Sequence, residues 1–200
     1  MQRASLACGV RRYIQQSSGF FLDAKEALAN ERSPFALNAS PGIAKYAEMY
    51  AYVEQRALES SIEGVALRYG FFYGPNTWYN PDGGAAEEIR KQLFPVIEGG
   101  KAKWSFVHIE DAARATVAAL TAQPGKYVVV DDDTSPVSVW LPRFASFVGA
   151  PPPPLITEDQ VLQTAGEDAV YYQTQLCGAS NAKAKRELHF APRKREWLSK

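Results

Sequence analysis

An α/β fold on a mainly parallel sheet is predicted by three features of this 200-residue chain. Ser40–Leu58 has the apolar spacing of a long helix. Val65–Tyr69, just after it, is a short apolar run suited to a strand buried on both faces. Glu110–Ala122 followed by Tyr127–Val130 repeats the order of helix then strand. A helix feeding a parallel strand makes a right-handed crossover, so the two pairs imply one sheet.

In chain order, Gln2–Gly9 reads as the last turns of a helix stopped by Gly9, and Val10–Ser17 as a strand. Gly19–Asn38 contains Ser33-Pro34 and reads as a loop with one helical turn at Ala24–Ala29, long enough to cover a site. Ser40 is the N-cap and Pro41 the first-turn proline of the long helix. Tyr46, Tyr50, Val53 and Ala57 follow i, i+4, i+7, i+11 and form one stripe, so two phenols share a face one turn apart. Glu63-Gly64 turns the chain into the strand Val65–Tyr69. Tyr73–Gly84, crowded with turn formers and aromatics, is a loop of binding character. Ala85–Leu93 is helical, and Pro95–Ile97 and Trp104–Val107 are short strands around Glu98–Gly100. The helix Glu110–Ala122 begins with acidic residues that suit its N-terminus. Ser135-Pro136 opens a helix to about Val148, and the stiff spacer Pro151–Pro154 sets the C-terminal segment apart. Within that segment Thr157–Ala165 and Asn181–Leu188 are further helices.

A hydrophobic content of 46% supports one substantial core with a small appended lobe. The net charge is zero, and the only basic runs are Lys183–Arg186 and Arg193–Arg195, which argues against a nucleic-acid partner and for a small molecule. Cys8 and Cys177 make neither a CxxC nor a ligand cluster and read as free thiols. No apolar run approaches a membrane span, and Met1–Val10 lacks a signal-peptide pattern, so a soluble cytoplasmic protein is expected.

A Ser at a strand end (Ser17-Ser18), a Tyr on a long helix, Leu67–Pro75 (LRYGFFYGP), Trp104–Leu120 (WSFVHIEDAARATVAAL) and Asn181–Arg193 occur in the order of the extended short-chain dehydrogenases/reductases. The chain resembles that NAD-dependent epimerase/dehydratase family along nearly its whole length. The resemblance implies the second half of a doubly wound, Rossmann-like sheet. Residues 1–150 would be a partial NAD(P)-binding domain and 151–200 a C-terminal substrate-cap segment. No G-x-G-x-x-G lies between a strand and a helix, so the glycine-rich first half is expected to be absent and binding of NAD or NADP by this chain to be weak. A homodimer stays open.

In the family a Ser or Thr hydroxyl holds the substrate, a Tyr exchanges a proton with an alcohol, and a Lys one turn later lowers the Tyr pKa and holds the ribose. Counting along Y-x-x-x-K-x-x-x-E, Glu54 matches the acidic residue, Tyr46 the tyrosine and Tyr50 the lysine. The last is a departure, because a phenol near neutral pH carries no charge to lend. Lys45 points about 100° away around the helix. The resemblance assigns Ser18, Tyr46 and Tyr50 as catalytic, Ser17, Tyr69 and Gly70 to the cofactor, and Phe71, Tyr73 and Trp78 to the substrate. Phe71 stands at or beside an Asn that contacts nucleotide sugars in the family, and a phenyl ring makes no hydrogen bond, so another substrate is implied. Each residue also has a plain structural reading: turn chemistry for the serines, core packing for the aromatics. His108, Glu110 and Asp111 read as a strand-to-helix turn and Asp131–Asp133 as a solvated loop, so no metal is expected.

The implied function is an NAD(P)-dependent epimerase/dehydratase-type oxidoreductase acting on a small hydroxyl- or carbonyl-bearing molecule. The alternative is a noncatalytic ligand-binding or sensor protein on the same scaffold, or an inactive fragment.

Overall fold

The computed structural model describes residues 2–24 and 27–198. Its elements in order are α1 (Gln2–Ala7), β1 (Arg12–Ser18), α2 (Pro41–Leu58), β2 (Glu63–Tyr69), β3 (Phe71–Tyr73), α3 (Gly84–Arg90), β4 (Val96–Ile97), β5 (Phe106–His108), α4 (Ile109–Ala118), β6 (Gly125–Val129), α5 (Val137–Phe147), β7 (Leu155–Ile156), α6 (Glu158–Thr164), α7 (Gly166–Thr174) and α8 (Ala182–Glu187), then a 3-10 turn at Glu196–Leu198. The main sheet is parallel in the order β1-β2-β6, and the pairs β3-β5 and β4-β7 are parallel as well.

Alternation along the strands sorts the core into two layers. Val65, Leu67, Tyr69, Tyr127 and Val129 pack with Ala112, Ala115 and Ala119 around α4 and with Ala184 and Leu188 at α8. Val128 and Val130 join a larger, aromatic layer that contains Phe106, Trp140, Phe144 and Trp197.

The buried stripe of α2 is Ile43, Ala47, Glu54 and Ala57, whereas Tyr46 is 52% exposed and Tyr50 half-buried. The expected tyrosine stripe is thus a flank of the helix. The physical reason is spacing: small side chains let α2 lie close on β1 and β2, as phenol rings would not. Gly64 shows how close, since a Cβ there would sit 2.1 Å from the Ala57 carbonyl oxygen.

The described part of the Ala24–Ala29 stretch has no helical turn, and residues 25 and 26 of it lie outside the described residues. The strands β3 and β7, the helix α7 and the terminal 3-10 turn were not expected. β7 follows the prolines directly, with the Val96 amide donating to the Pro154 carbonyl at 2.8 Å, and α7 packs on α2. At the other end of this segment the Arg195 guanidinium is fully buried, 2.8 Å from Asp131 and 2.7 Å from Asp133, over the Phe106 ring. Residues 151–198 are therefore joined to the rest by sheet pairing, helix packing and buried ion pairs.

Candidate active site

β1 and β2 end together, with Ser17 opposite Arg68 and Ser18 opposite Tyr69. In an open parallel sheet the crevice beyond the carboxyl ends of the strands is where ligands bind. Under that crevice lies a closed polar lock. The Ser17 hydroxyl donates to Glu54 at 2.6 Å, and Arg68 donates to both Glu54 oxygens at 2.7 and 2.8 Å. A third guanidinium nitrogen donates to the backbone carbonyls of Asn30 (3.1 Å) and Ser33 (3.2 Å). Glu54 is 2% and Arg68 1% exposed, so both charges are stable there only because they are paired and hydrogen-bonded. The lock fixes the rotation of α2 against β1, β2 and the 30–33 loop. Tyr50 and Tyr46 stand one and two turns before Glu54, so it also sets where the phenols stand.

Above the lock the lining is aromatic. Phe21, 3% exposed, has the rings of Tyr46, Tyr50 and Tyr172 at 5.8, 6.0 and 6.1 Å. Phe71 is sandwiched between Phe20 at 4.0 Å and Trp104 at 4.5 Å, both near-parallel to it. Burial, and then the neighbouring Tyr46, push the Tyr50 phenol up from its ordinary pKa. Tyr172 is pushed up to about 12 by burial, then by Asp168, Tyr46 and Tyr50. None of these influences is a cation, so both groups stay neutral donors across the physiological range. Asp168, one turn before Tyr172 on α7, accepts a 2.6 Å hydrogen bond from Ser40 at the start of α2, where a carboxylate is favoured by the helix dipole. Ser40 itself makes no side-chain cap.

Ser18, Tyr46, Tyr50 and Phe71 are linked through Phe20 and Phe21: Ser18 bonds the Phe20 amide, Phe20 stacks on Phe71, and Phe21 lies between Phe20 and the two tyrosines. Ser18, 1% exposed, accepts from the Phe20 amide at 3.3 Å, which leaves its own proton to give. Ser17, assigned to the cofactor, is taken up by Glu54. Tyr69, also assigned to the cofactor, faces the opposite layer, where its hydroxyl bonds Thr116 of α4. Gly70 serves a close backbone crossing, since a Cβ there would lie 2.4 Å from the Ser105 carbonyl oxygen. Tyr73, assigned to the substrate, is 2% exposed and packs edge-on against His108 and Trp197, with no hydrogen-bond partner for its hydroxyl among the described residues. An apolar-patterned strand delivers alternate side chains to opposite layers, which turns Tyr69 away from the crevice; Tyr73, two residues after Phe71 on β3, shares the face of Phe71 and is buried against His108 and Trp197. Trp78, 53% exposed, lines with Phe71 and Thr77 a separate cavity of about 560 Å³.

His108, Glu110 and Asp111 form a strand-to-helix turn in which the Glu110 amide donates to His108 Nδ1 at 3.2 Å. Arg193 closes it, reaching Glu110 at 2.6 Å and Asp111 at 3.3 Å. Among the described residues no group of three or more His, Cys, Asp or Glu is placed to hold a metal ion.

Sequence reasoning missed Phe20, Phe21, Trp104 and Tyr172. The Gly-Phe-Phe after the two serines was a usable signal, because strand ends open into the crevice. Tyr172 had none, since nothing in the spacing of 166–174 announced a helix.

Parallel strands in the order β1-β2-β6, with helices packed on both faces, define a Rossmann-like scaffold. A sequence model described as the NAD dependent epimerase/dehydratase family matches residues 1–130, and the chain belongs to that family. A 3-diazoavenalumate denitrifying reductase from a Streptomyces species is 34% identical over 197 residues, covering 97% of this chain and 65% of that protein. The solved structure of a functionally unknown conserved protein from Silicibacter pomeroyi superposes with a TM-score of 0.74 at 21% identity, covering 99% of this chain and 67% of that one. Thermus thermophilus UDP-glucose 4-epimerase in complex with NAD gives 0.64 at 20%, covering 98% and 63%. The structural likenesses show the shared fold. The chain spans about two thirds of the length of the proteins it matches. No helix among the described residues is long and apolar enough to cross a membrane.

Proposed function

We propose that the whole protein is an NAD(P)H-dependent reductase of a small aromatic molecule, in which hydride replaces a leaving group on the substrate and no alkoxide has to be protonated. The observation that carries this is Tyr50. By the family resemblance it stands at the place of the lysine, and its surroundings drive it away from ionisation. Interconverting an alcohol and a carbonyl needs a phenol that gives and recovers a proton readily, and that calls for a cation beside it. Hydride substitution makes no such demand.

The similar Streptomyces protein is by its name a reductase that removes nitrogen from a diazo compound. For an arenediazonium the step balances without a proton: hydride forms the new C–H bond while the C–N bond breaks and its electron pair leaves with N2. NAD(P)H supplies the hydride when bound. The residues present fit the nicotinamide end of the cofactor, with Ser18 and Tyr50 as donors, and these 200 residues contain no glycine turn for the pyrophosphate. The aromatic walls Phe20, Phe71 and Trp104 orient a flat ring, and Tyr46 donates a hydrogen bond to it. In this reading residues 1–150 carry the cofactor side and 151–200 the substrate cap. The position of Tyr172 and Asp168 on α7 supports that division. A homodimer and a cytoplasmic location belong to the same proposal. Met49 and Tyr52, exposed on α2, support the dimer, which a molar mass from light scattering would test.

The experiment is deuterium transfer with the whole gene product. Stereospecifically 4-deuterated NADPH and an arenediazonium salt should give deuterated arene from one nicotinamide face only. Transfer from both faces equally, or at the rate seen without protein, would overturn the proposal.

A further inference from the structure

Beside the aromatic crevice lies a second cavity of about 450 Å³, between the β4-β7 pair and helices α6 and α7, lined by Phe94, Ile97, Trp104, Ile156, Val161 and Tyr172 among others. Among the described residues no charged side chain lines it. Its hydrogen-bonding side chains are directed at the backbone rather than into the space. Gln173 accepts from the Ile97 amide at 2.9 Å and donates to the Pro95 carbonyl at 2.6 Å. Gln92 donates to the Ile89 carbonyl at 3.2 Å, Thr164 to the Gln160 carbonyl at 3.0 Å, and the Trp104 indole to the Tyr172 carbonyl. Among the described residues lining the cavity, the Tyr172 hydroxyl and the Gln92 amide oxygen are uncommitted. A polar ligand would find almost nothing to pair with here, and an apolar one would lose nothing by entering.

Trp104 and Tyr172 are also walls of the crevice. Trp104 stacks on Phe71, and Tyr172 stands 5.8 Å from Trp104. Both faces of Phe71 are covered by Phe20 and Trp104, so a ring would meet the edges of this stack, and the cavity lies beyond Trp104 and Tyr172. The volume suits part of a small organic molecule. We propose that this cavity is the subsite for an uncharged apolar chain carried by the aromatic substrate, with Trp104 and Tyr172 as the wall shared by ring and chain. The inference rests on the reading of the crevice as an aromatic-substrate site.

The test needs no turnover, so it can fail separately from the hydride-transfer reading. Binding of 4-methyl-, 4-ethyl-, 4-propyl-, 4-butyl- and 4-pentylphenol is measured by calorimetry or ligand-detected NMR. Affinity should rise up to about fourfold for each methylene buried. Ala169 lines the cavity, and Ala169→Phe should flatten the series while leaving 4-methylphenol within about twofold. Should A169F fail to fold by circular dichroism, Ala165→Phe replaces it, at an exposed lining position where α6 meets α7. A series that is flat in the unmodified protein, or that rises equally in the filled variant, would show that the chain does not enter the cavity. Chain-length dependence without hydride transfer would keep this subsite and remove the proposed reaction.

Discussion

Below the crevice the polar side chains are committed to other parts of the protein; above it the phenols are committed to no partner among the described residues. Ser17, Glu54 and Arg68 satisfy one another and the 30–33 backbone. Tyr46, Tyr50 and Tyr172 stand around Phe21, Tyr46 exposed and the other two with raised pKa values. The contrast separates what holds the fold from what is free to meet a ligand. The lock is a buried ion pair, in which removing one partner leaves a charge with no solvent. The phenols can lose a hydroxyl without leaving anything unsatisfied.

Arg68→Ala should therefore have the largest effect on stability. It strands the Glu54 carboxylate and frees the backbone carbonyls of Asn30 and Ser33, with Lys126, 3.6 Å from Glu54 and partly exposed, as a weak substitute. Breaking such a pair from one side costs about 3–5 kcal/mol. Urea denaturation followed by circular dichroism checks it. A loss below about 1 kcal/mol would mean that the lock is not what orients α2. Ser17→Ala should be milder, about 1–3 kcal/mol, because it removes one donor from a buried acceptor that keeps its others. A stability change in Ser18→Ala as large as that in Ser17→Ala would blur the distinction between lock and crevice.

Much of this was legible in the sequence. Short apolar runs after helices identified β2 and β6, and Glu54, matched to the acidic residue of the family pattern, is the carboxylate that the structure shows paired with Arg68. What stayed hidden depended on contacts between distant segments. The buried stripe of α2 was misjudged, apart from Ala57, because Ala47 is a weak periodic signal beside two tyrosines, although alanine is what permits close approach to the sheet. The face of Tyr69 required knowing which layer each strand residue enters, and the burial of Tyr73 depended on His108 and Trp197 packing over it. Tyr172 could not be connected to Phe21 before α7 was seen to fold back onto α2.

Tyr50→Lys moves a charge from one side of the comparison to the other. Half-buried and surrounded by Phe21 and Phe35, the position should tolerate an ammonium at a loss of about 1–2 kcal/mol, with the amine reaching toward solvent. The new cation would stand one turn from Tyr46 and favour its phenolate. In the whole gene product the expected result is a gain of NAD(P)+-dependent oxidation of aryl alcohols, with a pH profile rising at lower pH than any residual activity of the unmodified protein. If the unmodified protein already oxidises such alcohols and Y50K leaves the profile unmoved, the place of Tyr50 in the site has been misread.

The smallest stability effect is expected for Tyr46→Phe, and it divides the chemistry most cleanly. The ring stays, its stacking at 5.8 Å from Phe21 stays, and the side chain is 52% exposed, so stability should change by no more than about 0.5 kcal/mol. Only a hydroxyl is lost. If hydride displaces N2, the reacting carbon gains its hydrogen from the cofactor and no oxygen awaits a proton, so kcat should persist to within about tenfold while KM rises through the lost hydrogen bond. If the reaction instead makes or consumes an alcohol, the same substitution removes the group that handles the proton, and kcat should fall by a factor of about 10² to 10⁴. A loss of that size with an arenediazonium substrate would return Tyr46 to the proton-carrying role that the family resemblance implies, and Tyr50 would then have to be explained as a tolerated loss of the cation rather than as the mark of a different reaction.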